Sequence, residues 1–356
     1  MQDTEKNIRI AITHGDINGV GYELMLRTFE DAEILELFTP IVYGSEKAWA
    51  YYSNMLGVKV ACNVIRDARD ARDGQVNLIT AVQGGARVDM GKHSDESDNA
   101  SRQALDRAMK DYEEGLFDAL VMAPASNNEL TAEGKIAVAV NNCVHFASAT
   151  DGLNAGKAAE VISVDKVVER AKALFSVLKR DLRENNPRIA VMALNNEIAT
   201  DENSAEMSVI APAISTLVNS GVQAFGPYTG KDLMENFAYT HFDGILGMYE
   251  DQCRTISQQL FDDSGFVLIS GMDIVVTSPV HSPLYDICGQ GVADVTSFRN
   301  AIFGAIDVLR NRENYDIPLA NPLQKIYHER REDGEKVRFS VKKKDFEPKQ
   351  EGVENK

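Results

Sequence analysis

Three glycines stand close together in His14-Gly15-Asp16-Ile17-Asn18-Gly19-Val20-Gly21, between an apolar run, Ile8–Thr13, and a helical pattern from about Tyr22. Glycines between a strand and a helix allow turns with φ > 0 and let a ligand approach free backbone N–H groups. The spacing is G-x-x-x-G-x-G, which is neither the dinucleotide fingerprint G-x-G-x-x-G nor a phosphate loop ending in G-K-[ST]. A structural turn fits it as well as a phosphate cradle does. The histidines, His14, His93, His145, His241, His281 and His328, contain no H-x-x-x-H or H-x-H pair to set two metal ligands on one face. The cysteines, Cys62, Cys143, Cys253 and Cys288, are scattered without C-x-x-C spacing, which points to a reducing, cytoplasmic setting.

The elements that must position such residues are legible as short apolar runs between longer helical patterns. Ile8–Thr13, Pro40–Tyr43, Val76–Ile79, Ala119–Ala123, Ile189–Leu194, Gly244–Met248 and Ile274–Thr277 read as buried parallel strands. Helical spacing runs from Ala100 to Tyr112, from Val164 to Leu182 behind a Ser163 cap, and from a Thr296 cap to about Arg312. Strands alternating with such helices predict an α/β fold with a sheet covered on both faces.

The 356 residues suggest two domains, and 44% hydrophobic with 26% charged residues suffices for a globular core. A net charge of −17 repels phosphate backbones and anionic lipid, so nucleic acid and membrane are not expected partners. No signal peptide and no spanning helix is read. From Glu329 to Lys356, 9 basic and 8 acidic residues among 28 predict a disordered charged tail.

Several segments in order resemble the 4-hydroxythreonine-4-phosphate dehydrogenases of pyridoxal phosphate synthesis. They are Ile10 to Glu23, Thr39-Pro40-Ile41-Val42-Tyr43-Gly44-Ser45, Ala123-Pro124, Ala193-Leu194-Asn195 and Ala224-Phe225-Gly226-Pro227-Tyr228. Further on come Met248-Tyr249-Glu250-Asp251-Gln252, Thr277-Ser278-Pro279, Tyr285-Asp286-Ile287 and Ala320-Asn321-Pro322-Leu323, so the similarity spans about residues 7 to 325. The resemblance implies two α/β/α domains around a cleft, as in isocitrate-type dehydrogenases. These would be 1–125 plus 270–325, and 126–269 as the dimerisation domain. It also implies a homodimer with shared active sites, and NAD-dependent oxidation followed by metal-assisted decarboxylation of a phosphorylated substrate.

Residue by residue, the chain departs from that family. The histidine of L-N-P-H-A-G falls on Glu197, that of Y-H-D-Q on Glu250, and that of T-x-H-x-P-L on Gly152, beside Asp151. The family lysine, arginine and asparagine that hold substrate fall on Gln258, Val276 and Val267, and the lysine of A-P-I-N-K on Asn127. The G-H-T-E segment has no counterpart between Asn128 and Lys135. Of D-H-G-T only His281 remains, which with Asp286 is the candidate contact for NAD; a helix cap or structural hydrogen bond is its other reading.

Two readings follow. The first is a catalytically degenerate family member that keeps fold and dimer and acts by binding, including to a protein partner. The alternative is an active NAD dehydrogenase of altered substrate, in which Asp151, Glu197 and Glu250 hold Mg²⁺ or Mn²⁺ as carboxylate ligands.

Overall fold

The computed structural model describes residues 7–82, 87–126, 135–198, 201–261 and 264–321. Strands β1 (Arg9–Thr13), β2 (Thr39–Gly44), β3 (Cys62–Ile65), β4 (Val76–Thr80) and β5 (Ala119–Met122) alternate with helices α1 (Gly21–Phe29), α2 (Glu46–Leu56) and α3 (Asp95–Glu113). Then come β6 (Ile136–Val140), β7 (His145–Ser148), α4 (Ala155–Val161), α5 (Val164–Ser176), β8 (Arg188–Met192), α6 (Ala211–Asn219), β9 (Gln223–Tyr228) and α7 (Gly230–Met234). The chain continues through β10 (Gly244–Gly247), α8 (Glu250–Phe261), β11 (Phe266–Ser270), β12 (Val275–Pro279) and α9 (Thr296–Ala320). The fold is mixed α/β, and its strands form a 12-stranded sheet in the order β3-β4-β2-β1-β5-β12-β11-β6-β7-β10-β8-β9.

The seven apolar runs of the sequence are β1, β2, β4, β5, β8, β10 and β12, and each has a parallel neighbour. The middle of the sheet is not parallel. β11 runs antiparallel to β12 and β6, and β6 antiparallel to β7, because short connections such as 271–274 can only join antiparallel strands. Three successive reversals separate β12 from β7. The loops after β1, β5 and β12 therefore leave one edge of the sheet, and those after β7, β10 and β8 leave the opposite edge.

Period-two alternation distributes the core. Ile10 and Ile12 of β1, with Ala119 and Val121 of β5, face one apolar layer; Ala11, Leu120 and Met122 face the other. Ser163 caps α5 as expected, accepting from the Lys166 amide at 3.3 Å. The last helix differs from expectation. Thr296 is its first residue and not its cap; the Asp294 carboxylate accepts from the Thr296 amide at 2.9 Å and hydroxyl at 2.7 Å. The helix runs beyond Arg312 to Ala320, since Arg312 faces inward onto Asp181 and extends the buried stripe by one turn. The region 329–356 lies outside the described residues, as do Asn127 and the 128–134 segment.

Candidate functional site

Strand order reverses at β1 and β5, since β1 is followed by β2 on one side and neighbours β5 on the other. In α/β sheets the crevice beyond the carboxyl ends of such strands is where ligands bind. The β1–α1 turn that lines it is built by close backbone approach. Gly15 adopts φ +67°, and a Cβ there would stand 2.2 Å from the Pro124 carbonyl oxygen; at Gly21 it would stand 2.2 Å from that of His14. The amides of Asp16, Asn18, Gly19 and Val20 donate to Pro124 O, Asp16 Oδ1, Asp16 O and Pro283 O at 2.8–3.1 Å. These four amides are spent on the turn, which favours the structural reading of the glycine spacing; the amides of Gly21, Tyr22 and Glu23 open α1.

The turn delivers Asp16, fully buried, into the crevice. Its Oδ2 accepts from the Tyr285 hydroxyl at 2.6 Å and the Ser97 hydroxyl at 3.0 Å. Asn18 clamps a distant segment alongside: its Oδ1 accepts from the Asp89 amide at 2.8 Å, its Nδ2 donates to Lys92 O at 2.9 Å, and its carbonyl accepts from the Gly91 amide at 2.9 Å. This brings His93 to the crevice mouth, just before the Ser94 capping box that opens α3. His93 Nε2 lies 3.5 Å from Asp98 Oδ2, and Nδ1 lies 3.8 Å from Asp16 Oδ2 and 3.4 Å from the Tyr285 hydroxyl. Leu284, at φ +47°, turns Tyr285 inward, where Ser126 also meets its hydroxyl at 2.6 Å. Burial, then the bond to Asp16, pushes the Tyr285 hydroxyl up to about 12, so it serves as a donor.

Behind the crevice His14 is fully buried, stacked 5.5 Å from Tyr22, with neither ring nitrogen in hydrogen-bond geometry to a partner. Burial pushes its imidazole down from 6.5 to about 4. The native state therefore holds His14 neutral while the unfolded chain takes up a proton below pH 6.5. Stability is full above that pH and is lost as pH falls toward 4, by about 3 kcal/mol from this group. Urea unfolding of the wild type and of His14→Phe across this range measures it: the variant is expected to lose less stability on acidification, and parallel curves would contradict the assignment.

The family model described as pyridoxal phosphate biosynthetic protein PdxA matches residues 36–139 and 135–305. A 4-hydroxythreonine-4-phosphate dehydrogenase of Bacteroides thetaiotaomicron is 35% identical over 358 residues, covering 95% of this chain and 98% of its own length. The chain belongs to the PdxA family. A second relative of the same description, from Prosthecochloris aestuarii, is 29% identical, with 85% of this chain and 97% of that protein covered. A solved 4-hydroxythreonine-4-phosphate dehydrogenase from Klebsiella pneumoniae shares the fold at a TM-score of 0.72 and 18% identity, over 86% of this chain and 99% of that one. A further relative, from Oceanobacillus iheyensis and 26% identical over 84% of this chain and 97% of its own length, is described as a putative D-threonate 4-phosphate dehydrogenase.

The positions to which the resemblance assigns metal ligands, Gly152 beside Asp151, Glu197 and Glu250, follow β7, β8 and β10, three adjacent strands whose ends share one edge. Their side chains do not converge on an ion within this chain. Asp151 Oδ2 pairs with Arg170 at 2.5 Å, and its Oδ1 accepts from Ser148 at 2.7 Å. Glu250 pairs with Arg254 at 2.6 Å and accepts from the Gly152 amide at 3.3 Å, while Glu197 is exposed on the 194–198 loop. Among the described residues, the group whose ligand atoms do converge is Asp16, His93 and Asp98.

Gln252 braces this edge: it accepts from the Met248 amide and donates to Ala193 O, each at 2.8 Å. Gln258 lies exposed on α8, Val267 lies in β11, and Val276 is fully buried in β12 opposite Ile269 and Leu120. His281 Nδ1 faces Ser282 O at 3.1 Å, and its Nε2 is buried without a partner; Asp286 is exposed one residue from Tyr285. Asp16 and Tyr285 stood within the segments that carried the resemblance. His93 and Asp98 carried no sequence signal beyond their residue types.

Proposed function

We propose that this chain keeps the PdxA framework but not the family reaction, and acts by binding. The observation that carries the reading is Val276, enclosed between Leu120 and Ile269 where the family has an arginine. A phosphate dianion entering that end of the site would be desolvated without a cation, at a cost of several kcal/mol. Asp151 and Glu250, each already paired to an arginine, support the same conclusion for the metal. An active dehydrogenase of altered substrate is favoured by one observation: the Gly152 amide bonded to Glu250 holds two of the three carboxylate loops together.

The same reading includes a homodimer and two domains, 1–125 plus 270–325 and 126–269. Supporting the division, β12 returns to lie beside β5 while β6 to β10 fill the far half of the sheet. The four cysteines are unpaired, which suits a cytoplasmic setting, and among the described residues no helix is long and apolar enough to cross a membrane. Light scattering at micromolar concentration tests the dimer, and a monomeric mass would count against it.

No NADH is expected from 4-phosphohydroxythreonine and NAD with Mg²⁺, Mn²⁺, Co²⁺ or Zn²⁺. Losing one electrostatic contact slows an enzyme about a hundredfold to a thousandfold, and here several are replaced. Turnover of about one per second or faster would overturn the reading. If such activity appeared and vanished in the double variant Glu197→Ala, Glu250→Ala, the carboxylate-ligand alternative would replace it.

A further inference from the structure

We propose that Asp16, His93 and Asp98 form a divalent cation site in the β1/β5 crevice, separate from the family's metal position. One ligand atom from each residue lies within 4.8 Å of the others. His93 stands 3.5 Å from Asp98 and 3.8 Å from Asp16, too far for strong hydrogen bonds. The two contacts run from different ring nitrogens, Nε2 to Asp98 and Nδ1 to Asp16, and an imidazole gives an ion one nitrogen, so binding requires the half-exposed His93 ring to turn until a single nitrogen faces both carboxylates.

A second observation is the charge on Asp16. Its carboxylate is fully buried, and among the described residues the basic side chain within ion-pair distance is His93. Buried charges are normally paired or bound to metal. Three hydrogen bonds orient this carboxylate: Oδ2 accepts from Ser97 and Tyr285, which fills its two lone pairs, and Oδ1 accepts from the Asn18 amide and keeps one lone pair for an ion. His93 is 48% exposed, so an ion has an entry path and coordination positions open to solvent or to a small anionic ligand.

One imidazole and two carboxylates favour a first-row ion such as Zn²⁺ or Mn²⁺. Mg²⁺ and Ca²⁺ prefer all-oxygen shells. The site does not depend on the fate of the family reaction, because it lies at the opposite edge of the sheet from Gly152, Glu197 and Glu250.

The test is calorimetric titration of the chelator-treated full-length protein with Zn²⁺, and of the same protein with Mn²⁺ followed by electron paramagnetic resonance. One saturable site per chain is expected, with affinity weakened at least about tenfold in both His93→Ala and His93→Gln and in Asp98→Asn. Glu197→Gln with Glu250→Gln is expected to bind as the wild type does. Circular dichroism of the half-exposed His93 variants verifies that they fold. Absence of saturable binding up to about 1 mM would overturn the proposal. So would binding unchanged by the His93 variants, or binding lost in the Glu197/Glu250 pair.

Discussion

Arg312→Ala is expected to lower the unfolding free energy by about 3–5 kcal/mol. Arg312 and Asp181 are both nearly inaccessible, and they meet through two bonds, Nε to Oδ1 at 2.8 Å and Nη2 to Oδ2 at 3.0 Å. Nη1 continues to Asp273 O at 3.1 Å, and Asn311 donates to Asp181 O at 2.8 Å. One pair thus ties α9 to the turn after α5 and to the connection between β11 and β12. Removing the guanidinium leaves a buried carboxylate with the hydroxyl of Ser270, at 3.3 Å, as its remaining side-chain donor among the described residues. The double variant Arg312→Met, Asp181→Leu removes both charges and should recover most of the loss, since a buried ion pair is strongly destabilising when broken and nearly neutral when replaced whole. Urea denaturation measures both; a loss below about 1 kcal/mol for the single variant would show that water reaches the carboxylate.

The same pair marks where sequence reading stops. The apolar runs that became β1, β2, β4, β5, β8, β10 and β12 were legible because strands buried on both faces are continuously hydrophobic. β3 and β9 were not, because they are the two sheet edges: Cys62, Asn63 and Val64 are not fully buried, and β9 carries Gly226-Pro227. β6, β7 and β11 are short strands in the antiparallel middle, where alternation over four or five residues gives little signal. The site divides in the same way. Asp16 and Tyr285 stood inside recognisable segments, whereas His93 reaches Asp16 only through the Asn18 clamp, 71 residues away in sequence at Asp89. Neither spacing nor residue type announces such a contact. The carboxylates at 197 and 250 show the converse: the strands before them, β8 and β10, were foreseeable, but Arg254, which holds Glu250, was not, and neither was Arg170, which holds Asp151.

Gly15→Ala is expected to cost about 2–5 kcal/mol and to abolish ion binding in the crevice. A left-handed backbone costs a residue with a Cβ about 1–2 kcal/mol, and overpacking adds about 1–3. At Gly15 both apply: φ is +67°, and the added carbon would meet Pro124 O at 2.2 Å and Ala123 O at 2.6 Å. Those atoms are backbone, held by the Asp16 amide at 2.8 Å and by the end of β5, so they cannot swing aside as a side-chain tip would. Gly115 supplies the comparison, because its φ of +70° is nearly the same and nothing stands within 4 Å of a Cβ there. Gly115→Ala should therefore show the conformational part alone, about 1–2 kcal/mol, with ion binding intact. The difference between the two variants isolates the close approach of the β1–α1 turn to the β5 loop, the contact that seats Asp16. Equal losses in urea denaturation would mean that backbone conformation alone shapes the turn. Zn²⁺ titration of Gly15→Ala reads the second consequence, for a turn pushed off the β5 loop carries Asp16 away from Tyr285 and His93 and leaves an ion without its buried ligand.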